Sequence, residues 1–292
     1  MTEHSKPLLA SLAAAALLSL SGLVLFRIHP WSASRATADS NGVLDLLMQV
    51  SSQHVSEPDR VAPPPPSHAS WMSPLRGQCP ALDLSLRHRL LQLQARIRGR
   101  TPLRRIDPSN FGPRFRLDAY GTPVDPTPKV IVLHETVYGL SSALNTFKTN
   151  HVDDSDQVSY HSLVGLDGEL VRVVDPRLRA FGAGYSAFNH QWVITNPKVG
   201  GSINNFALHL SLETPEDGEN EAAEHSGYTQ AQYDTMALEL VHWMRSYAIP
   251  AEHITTHRHV DLGGERADPR SFDWAQLALR LRALGMLCPN QG

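Results

Sequence analysis

The chain has 292 residues, 41% hydrophobic and 19% charged, enough apolar material for one large or two small globular domains. Its formal net charge of -3 leaves no basic excess to neutralise phosphates, so the composition excludes nucleic acid as a general electrostatic partner. Histidine is abundant, at 15 residues, and therefore carries information only within a spaced motif.

In chain order, Lys6 precedes an unbroken run of apolar or small residues from Pro7 to Phe26, closed by Arg27. About 20 such residues cross a bilayer core, whereas secretory apolar regions are shorter, about 7–15 residues. Residues 1–27 read as a single N-terminal membrane anchor, with a cleaved signal peptide, cut near Trp31–Ser34, as the alternative. The flanking charges are too balanced to set an orientation. Both readings place the remainder outside the cytoplasm. Residues 28–78 read as a Pro/Ser-rich spacer, because Pro63–Pro66 favours extended polyproline geometry and builds no core. A short helical pattern near Val43–Val50 interrupts it. The two cysteines, Cys79 and Cys288, sit near the ends of the post-leader chain. In an oxidising compartment they are expected to pair, contributing roughly 4–5 kcal/mol in the chain-entropy model; two free buried thiols are the alternative.

Residues 79–99 form a helical extension: Leu86, Leu90, Leu93 and Ile97 recur at helical spacing. The block from 100 to 288 interleaves strands and helices. Lys129–Leu133 is β-branched and apolar, hence a buried strand. Ser141–Asn150 suits a helix with Leu144 and Phe147 on one face. Ser159–Val164 and Glu169–Val174 flank Asp167-Gly168, a hairpin signal. Phe206–Leu212 is a strand with Leu208, Leu210 and Leu212 on one side. Thr229 and Gln232 resemble a capping box ahead of the stripe Tyr233, Met236, Ala237, Leu240, Val241 and Met244. A last helix follows Ser271, with Trp274, Leu277, Ala278 and Leu281 inward. The expected fold is α/β, a mixed central sheet flanked by helices.

Three segments carry chemistry: Val132-Leu133-His134, Ser159-Tyr160-His161, and Thr256-His257 with Arg266-Ala267-Asp268-Pro269. A catalytic zinc site needs three protein ligands and one open position. Two neutral imidazoles and one carboxylate leave such a site at +1, so the metal stays a strong Lewis acid.

With the further markers Ala180–Ser186, Asp167-Gly168 and Asn204-Asn205-Phe206, these segments resemble the type-2 N-acetylmuramoyl-L-alanine amidases, which share their fold with the peptidoglycan recognition proteins. The similarity covers about Pro102 to Trp274. The resemblance implies Zn2+ bound by His134, His257 and Asp268. It implies a peptidoglycan muropeptide substrate, and action in the periplasm or on the wall side of the membrane. Tyr160 matches the family's active-site tyrosine, and Arg266 sits where the family often has Lys; both are expected to stabilise an oxyanion. His161 has the opposite strand parity and is expected to pack elsewhere.

The chain departs from the pattern in three places. Ser211 stands where active relatives often carry Glu, and Glu213, of the same strand parity, is the substitute candidate for general base. Gly182 replaces a His common in the family's Ala-aromatic-His-Ala-Gly segment. The segment from His257 to Asp268 is one residue longer than usual, which makes His259 a rival ligand to the preferred His257. His151, His190, His209 and His225 read as ordinary surface or core residues. No Gly-x-Ser-x-Gly elbow is present to support a serine hydrolase. A non-catalytic peptidoglycan-binding module on the same fold is the alternative function.

Overall fold

A computed structural model describes residues 61–99 and 101–288. The apolar run 7–26, the helical pattern at 43–50 and the spacer up to residue 60 lie outside the described residues. Among those described, no helix is long and apolar enough to cross a membrane.

The elements in chain order are α1 (Leu84–Ile97), β1 (Phe111–Pro113), β2 (Val130–Glu135), α2 (Leu140–Lys148), β3 (Ser162–Val164), β4 (Leu170–Arg172), β5 (Leu178–Ala180), β6 (Val193–Asn196), β7 (Gly200–Ser202), β8 (Ala207–Leu212), α3 (Gln230–Tyr247), β9 (Ile254–Thr256), α4 (His257–Val260) and α5 (Trp274–Ala283). The main sheet runs β4-β3-β8-β2-β9. Its β3, β8, β2 and β9 are mutually parallel, and β4 closes one edge antiparallel to β3. Two small antiparallel pairs, β1 with β5 and β6 with β7, lie outside it.

Parallel strands covered on both faces read as continuous apolar runs, and every residue of β2 and β8 is buried. On one face Ile131, Leu133, Leu208, Leu210 and Leu212 pack against α1, α3 and α5. The other face carries Val130, Val132 and Ala207 toward the strand starts. By strand alternation the residues that follow on that face are His134 on β2 and His209 and Ser211 on β8.

Helix α3 begins at the expected capping box: Gln232 N donates to Thr229 Oγ1, and Thr229 N donates to Gln232 Oε1. Asp83 caps α1 by accepting from the amides of Ser85 and Leu86. The three helices are tied at Asp234 of α3, which accepts from Arg89 of α1 and Arg280 of α5. Trp274 is only half-buried at the start of α5, packed against the rim of the core.

The spacer reading is corrected over residues 61–78. Leu75 is buried in the main core, Trp71 Nε1 donates to the Glu252 carbonyl, and Trp192 Nε1 donates to the Pro63 carbonyl. Isolated anchors on irregular backbone leave no periodic trace, so composition alone made this segment look free. Cys79 and Cys288 form a disulfide, with Cα atoms 5.5 Å apart.

Candidate metal centre

The register of the parallel strands builds the site. Val132, Leu133 and His134 of β2 align with His209, Leu210 and Ser211 of β8, and Leu133 aligns with Thr256 of β9. The strands therefore finish together, at the end where open parallel sheets hold ligands. His134 is the penultimate residue of β2, and His257 follows β9 as the first residue of α4. Asp268 returns on the loop after α4. That loop is shaped by Asp261, whose carboxylate accepts from the amides of Gly263, Glu265 and Arg266. It is closed by Arg258 N donating to the Asp268 carbonyl.

His134, His257 and Asp268 present donor atoms that all lie within 4.8 Å of one another. His134 Nδ1 is 3.3 Å from Asp268 Oδ2, and His257 Nδ1 is 3.0 Å from Oδ1. Donors about 2.0–2.1 Å from one tetrahedral ion stand about 3.3 Å apart, so these spacings suit a shared divalent cation. His134 is fully buried, and its Nδ1 faces the Asp268 carboxylate without a well-formed hydrogen bond. A cation between the two would satisfy both atoms. Burial holds the His134 imidazole down at about 4, with the Asp268 carboxylate opposing. Burial by itself would raise Asp268, but the imidazoles of His134 and His257 beside it hold it below the ordinary carboxylate range. Neutral imidazole and ionised carboxylate are the forms a metal takes.

Tyr160 stacks on His134, with ring centroids 4.4 Å apart, and also meets Phe147 edge-on. Burial and the nearby Asp268 charge raise its phenol, which therefore remains a proton donor. Tyr160, His257, Arg266 and Asp268 all line a groove of about 620 Å³. Phe115, Phe181 and Arg179 line its wall, where Arg179 lies over both rings at 4.9 Å and donates to Thr195 Oγ1.

Glu213 is a correction. Strand β8 ends at Leu212, and the Glu213 carboxylate accepts from Leu140 N at 2.6 Å and Leu166 N at 2.9 Å. It ties the start of α2 to the β3–β4 turn and does not line the groove. Same-side parity failed because the chain leaves the strand before the rule can act on residue 213. The structure also separates the two rival histidines. His259 pairs with Thr256 Oγ1 and meets Trp71 edge-on, in a second cavity beside Arg258 and Trp274. His161 points away from the cluster, accepting from His209 N through Nδ1 and facing the Leu178 carbonyl through Nε2.

Three residues escaped the sequence reading. Glu135, on the opposite strand face from His134, accepts from Tyr228 Oη, from Arg270 Nε and from Arg270 N. It anchors the loop two residues past Asp268. His225, read as an ordinary residue, faces the same carboxylate at 3.1 Å. His209, also read as ordinary, places Nδ1 3.0 Å from Nε2 of His134. Only the adjacency of Glu135 to His134 offered any signal; the other two contacts are long-range.

The sequence profile of a family described as N-acetylmuramoyl-L-alanine amidase matches residues 124–271. No match was found among curated proteins. Among solved structures, a selenomethionine AmpD derivative matches with TM-score 0.45 and 22% identity over 61% of this chain and 93% of its own. The amidase AmiD from E. coli, solved with anhydro-N-acetylmuramic acid-L-Ala-D-gamma-Glu-L-Lys, matches with TM-score 0.41 and 22% identity over 52% of this chain and 57% of its own. Citrobacter freundii AmpD matches with TM-score 0.37 and 22% identity over 62% and 90%.

Proposed function

The chain belongs to the N-acetylmuramoyl-L-alanine amidase family, and from that premise we propose that it uses Zn2+, held by His134, His257 and Asp268, to hydrolyse the amide between N-acetylmuramic acid and L-alanine in peptidoglycan. The observation that carries the reading is the convergence of two imidazole nitrogens and a carboxylate, all within 4.8 Å of one another, with His134 completely buried. Zinc bound there supplies the Lewis acidity that polarises a carbonyl and activates water.

The protein's own groups do the rest. The groove beside the cluster seats the sugar-peptide junction. Tyr160, packed against His134 and Phe147, keeps its proton and offers a hydrogen bond where the carbonyl oxygen gains charge. The Arg266 cation flanks the same space from the Asp268 loop. Glu135 and Arg270 hold that loop from behind. The disulfide and the apolar leader support action outside the cytoplasm, on the periplasmic or wall side.

A second reading has one observation in its favour. The site face of β8 carries Ser211, buried with its Oγ unpartnered, where active relatives often have Glu, and Glu213 is engaged elsewhere. On that reading the groove binds peptidoglycan without turning it over. The test is release of peptides with new L-alanine amino termini from purified peptidoglycan, with and without zinc, for the wild-type chain and His257→Ala. Zinc-dependent release absent from the variant establishes the amidase. Peptidoglycan binding without release establishes the recognition module.

A further inference from the structure

We infer that His209 is a positioning residue for the metal centre, and that glycine at 182 exists to seat its ring. The inference rests on the metal reading of His134, His257 and Asp268.

His209 and His134 stand on the same face of adjacent parallel strands, two residues apart in register, and both are completely buried. His209 Nδ1 lies 3.0 Å from His134 Nε2. Proton placement then has one solution compatible with a metal. His134 Nδ1 faces Asp268 and must offer its lone pair, so the proton sits on Nε2. Nε2–H donates to His209 Nδ1, which makes His209 the neutral tautomer with its proton on Nε2. The reverse bond would put a proton on His134 Nδ1 and close it to the ion. A histidine ligand's outer nitrogen normally meets a carboxylate, a carbonyl or water, and that contact sets ring orientation and ligand basicity. Here a second imidazole takes that place.

The seat of His209 is fixed by two neighbours. Its backbone N–H donates to His161 Nδ1, its carbonyl accepts from His161 N, and the two rings stack at 5.8 Å, 8° from coplanar. The second neighbour is Gly182. A Cβ at 182 would lie 2.5 Å from both Cγ and Nδ1 of His209. The loop cannot retreat, because Ala183 N is bonded to Asn204 Oδ1. The absence of the expected histidine at 182 and the presence of one at 209 are thus a single arrangement: the space beside the ligand is filled from β8 instead of from the loop.

The test is zinc affinity of the full chain, measured by competition with a chromophoric chelator, alongside thermal melting of the metal-free protein. His209→Asn keeps an acceptor near the Nδ1 position and is expected to stay within about 3-fold of wild type. His209→Leu keeps bulk but removes the acceptor and is expected to bind about 10–100-fold more weakly. Gly182→Ala, which pushes the ring from its seat, is expected to behave like His209→Leu. Imidazole 15N NMR of the zinc-loaded wild type should show His134 protonated at Nε2 alone. Wild-type affinity in both His209→Leu and Gly182→Ala, or equal loss in His209→Asn and His209→Leu, overturns the inference. His257→Ala separates the levels: if it binds zinc as tightly as wild type, the metal reading itself has failed and this inference falls with it.

Discussion

Tyr160 and Arg266 differ in how firmly they are held, and their variants should differ accordingly. Tyr160 packs against two rings, those of His134 and Phe147, so Tyr160→Phe removes one hydroxyl and little else. The expected result is retained zinc with kcat lowered about 10²–10³-fold, the usual effect of losing one preorganised oxyanion donor, read from steady-state kinetics beside metal content. Arg266 is exposed on its loop and should tolerate Lys far better than Ala. The buried imidazoles also predict a pH response. Burial depresses His134, His161 and His209 below the ordinary histidine value. The unfolded chain therefore binds protons that the folded chain refuses. Stability of the metal-free protein is fully present above about pH 6.5 and declines as pH falls, by up to about 1.4 kcal/mol per pH unit for each imidazole. Denaturant titrations between pH 7 and pH 5 read that slope directly.

Elements place these residues, and element-level variants should change stability with the chemistry intact. Glu213 links the first amide of α2 to the amide of Leu166, so Glu213→Ala is expected to cost about 1–3 kcal/mol while kcat stays near wild type. A large kcat loss at unchanged stability would return Glu213 to the role that strand parity assigned it. Thr229→Ala removes half of the capping box of α3 and should cost about 0.5–2 kcal/mol in denaturant unfolding. Long, periodic elements were legible from the sequence. Helices α1, α2 and α3 and strands β2 and β8 fall close to their expected positions, because 3.6-residue stripes and β-branched runs encode burial locally. Of the six strands of three residues, β3 and β4 were marked by the Asp167-Gly168 hairpin signal, whereas β1, β5, β7 and β9 and the single turn α4 were not legible. A segment that short forms only because a partner strand or loop is already waiting for it.

For the whole molecule, the disulfide spans 209 positions and joins the residue before α1's lead-in to the end of the chain. Reduction, or Cys79→Ser, is expected to lower the denaturant-unfolding free energy by about 2–4 kcal/mol, with the zinc site intact in the folded protein. Loss of zinc affinity on reduction would mean that the terminal helices and the sheet ends are coupled.

The sequence by itself determined the α/β class and the family, through motif segments whose residue types a metal amidase requires. It marked His134, His257 and Asp268, three residues far apart in the chain whose side chains the fold brings within 4.8 Å of one another. It preferred His257 to His259 but could not show where His259 packs, nor that Glu213 bonds to the amides of Leu140 and Leu166, nor that His209 reaches His134. Those outcomes depend on where a strand stops, how a loop folds around Asp261, and which buried ring fills the space left by Gly182. Each is a contact between residues far apart in the chain, and only tertiary packing brings them within reach.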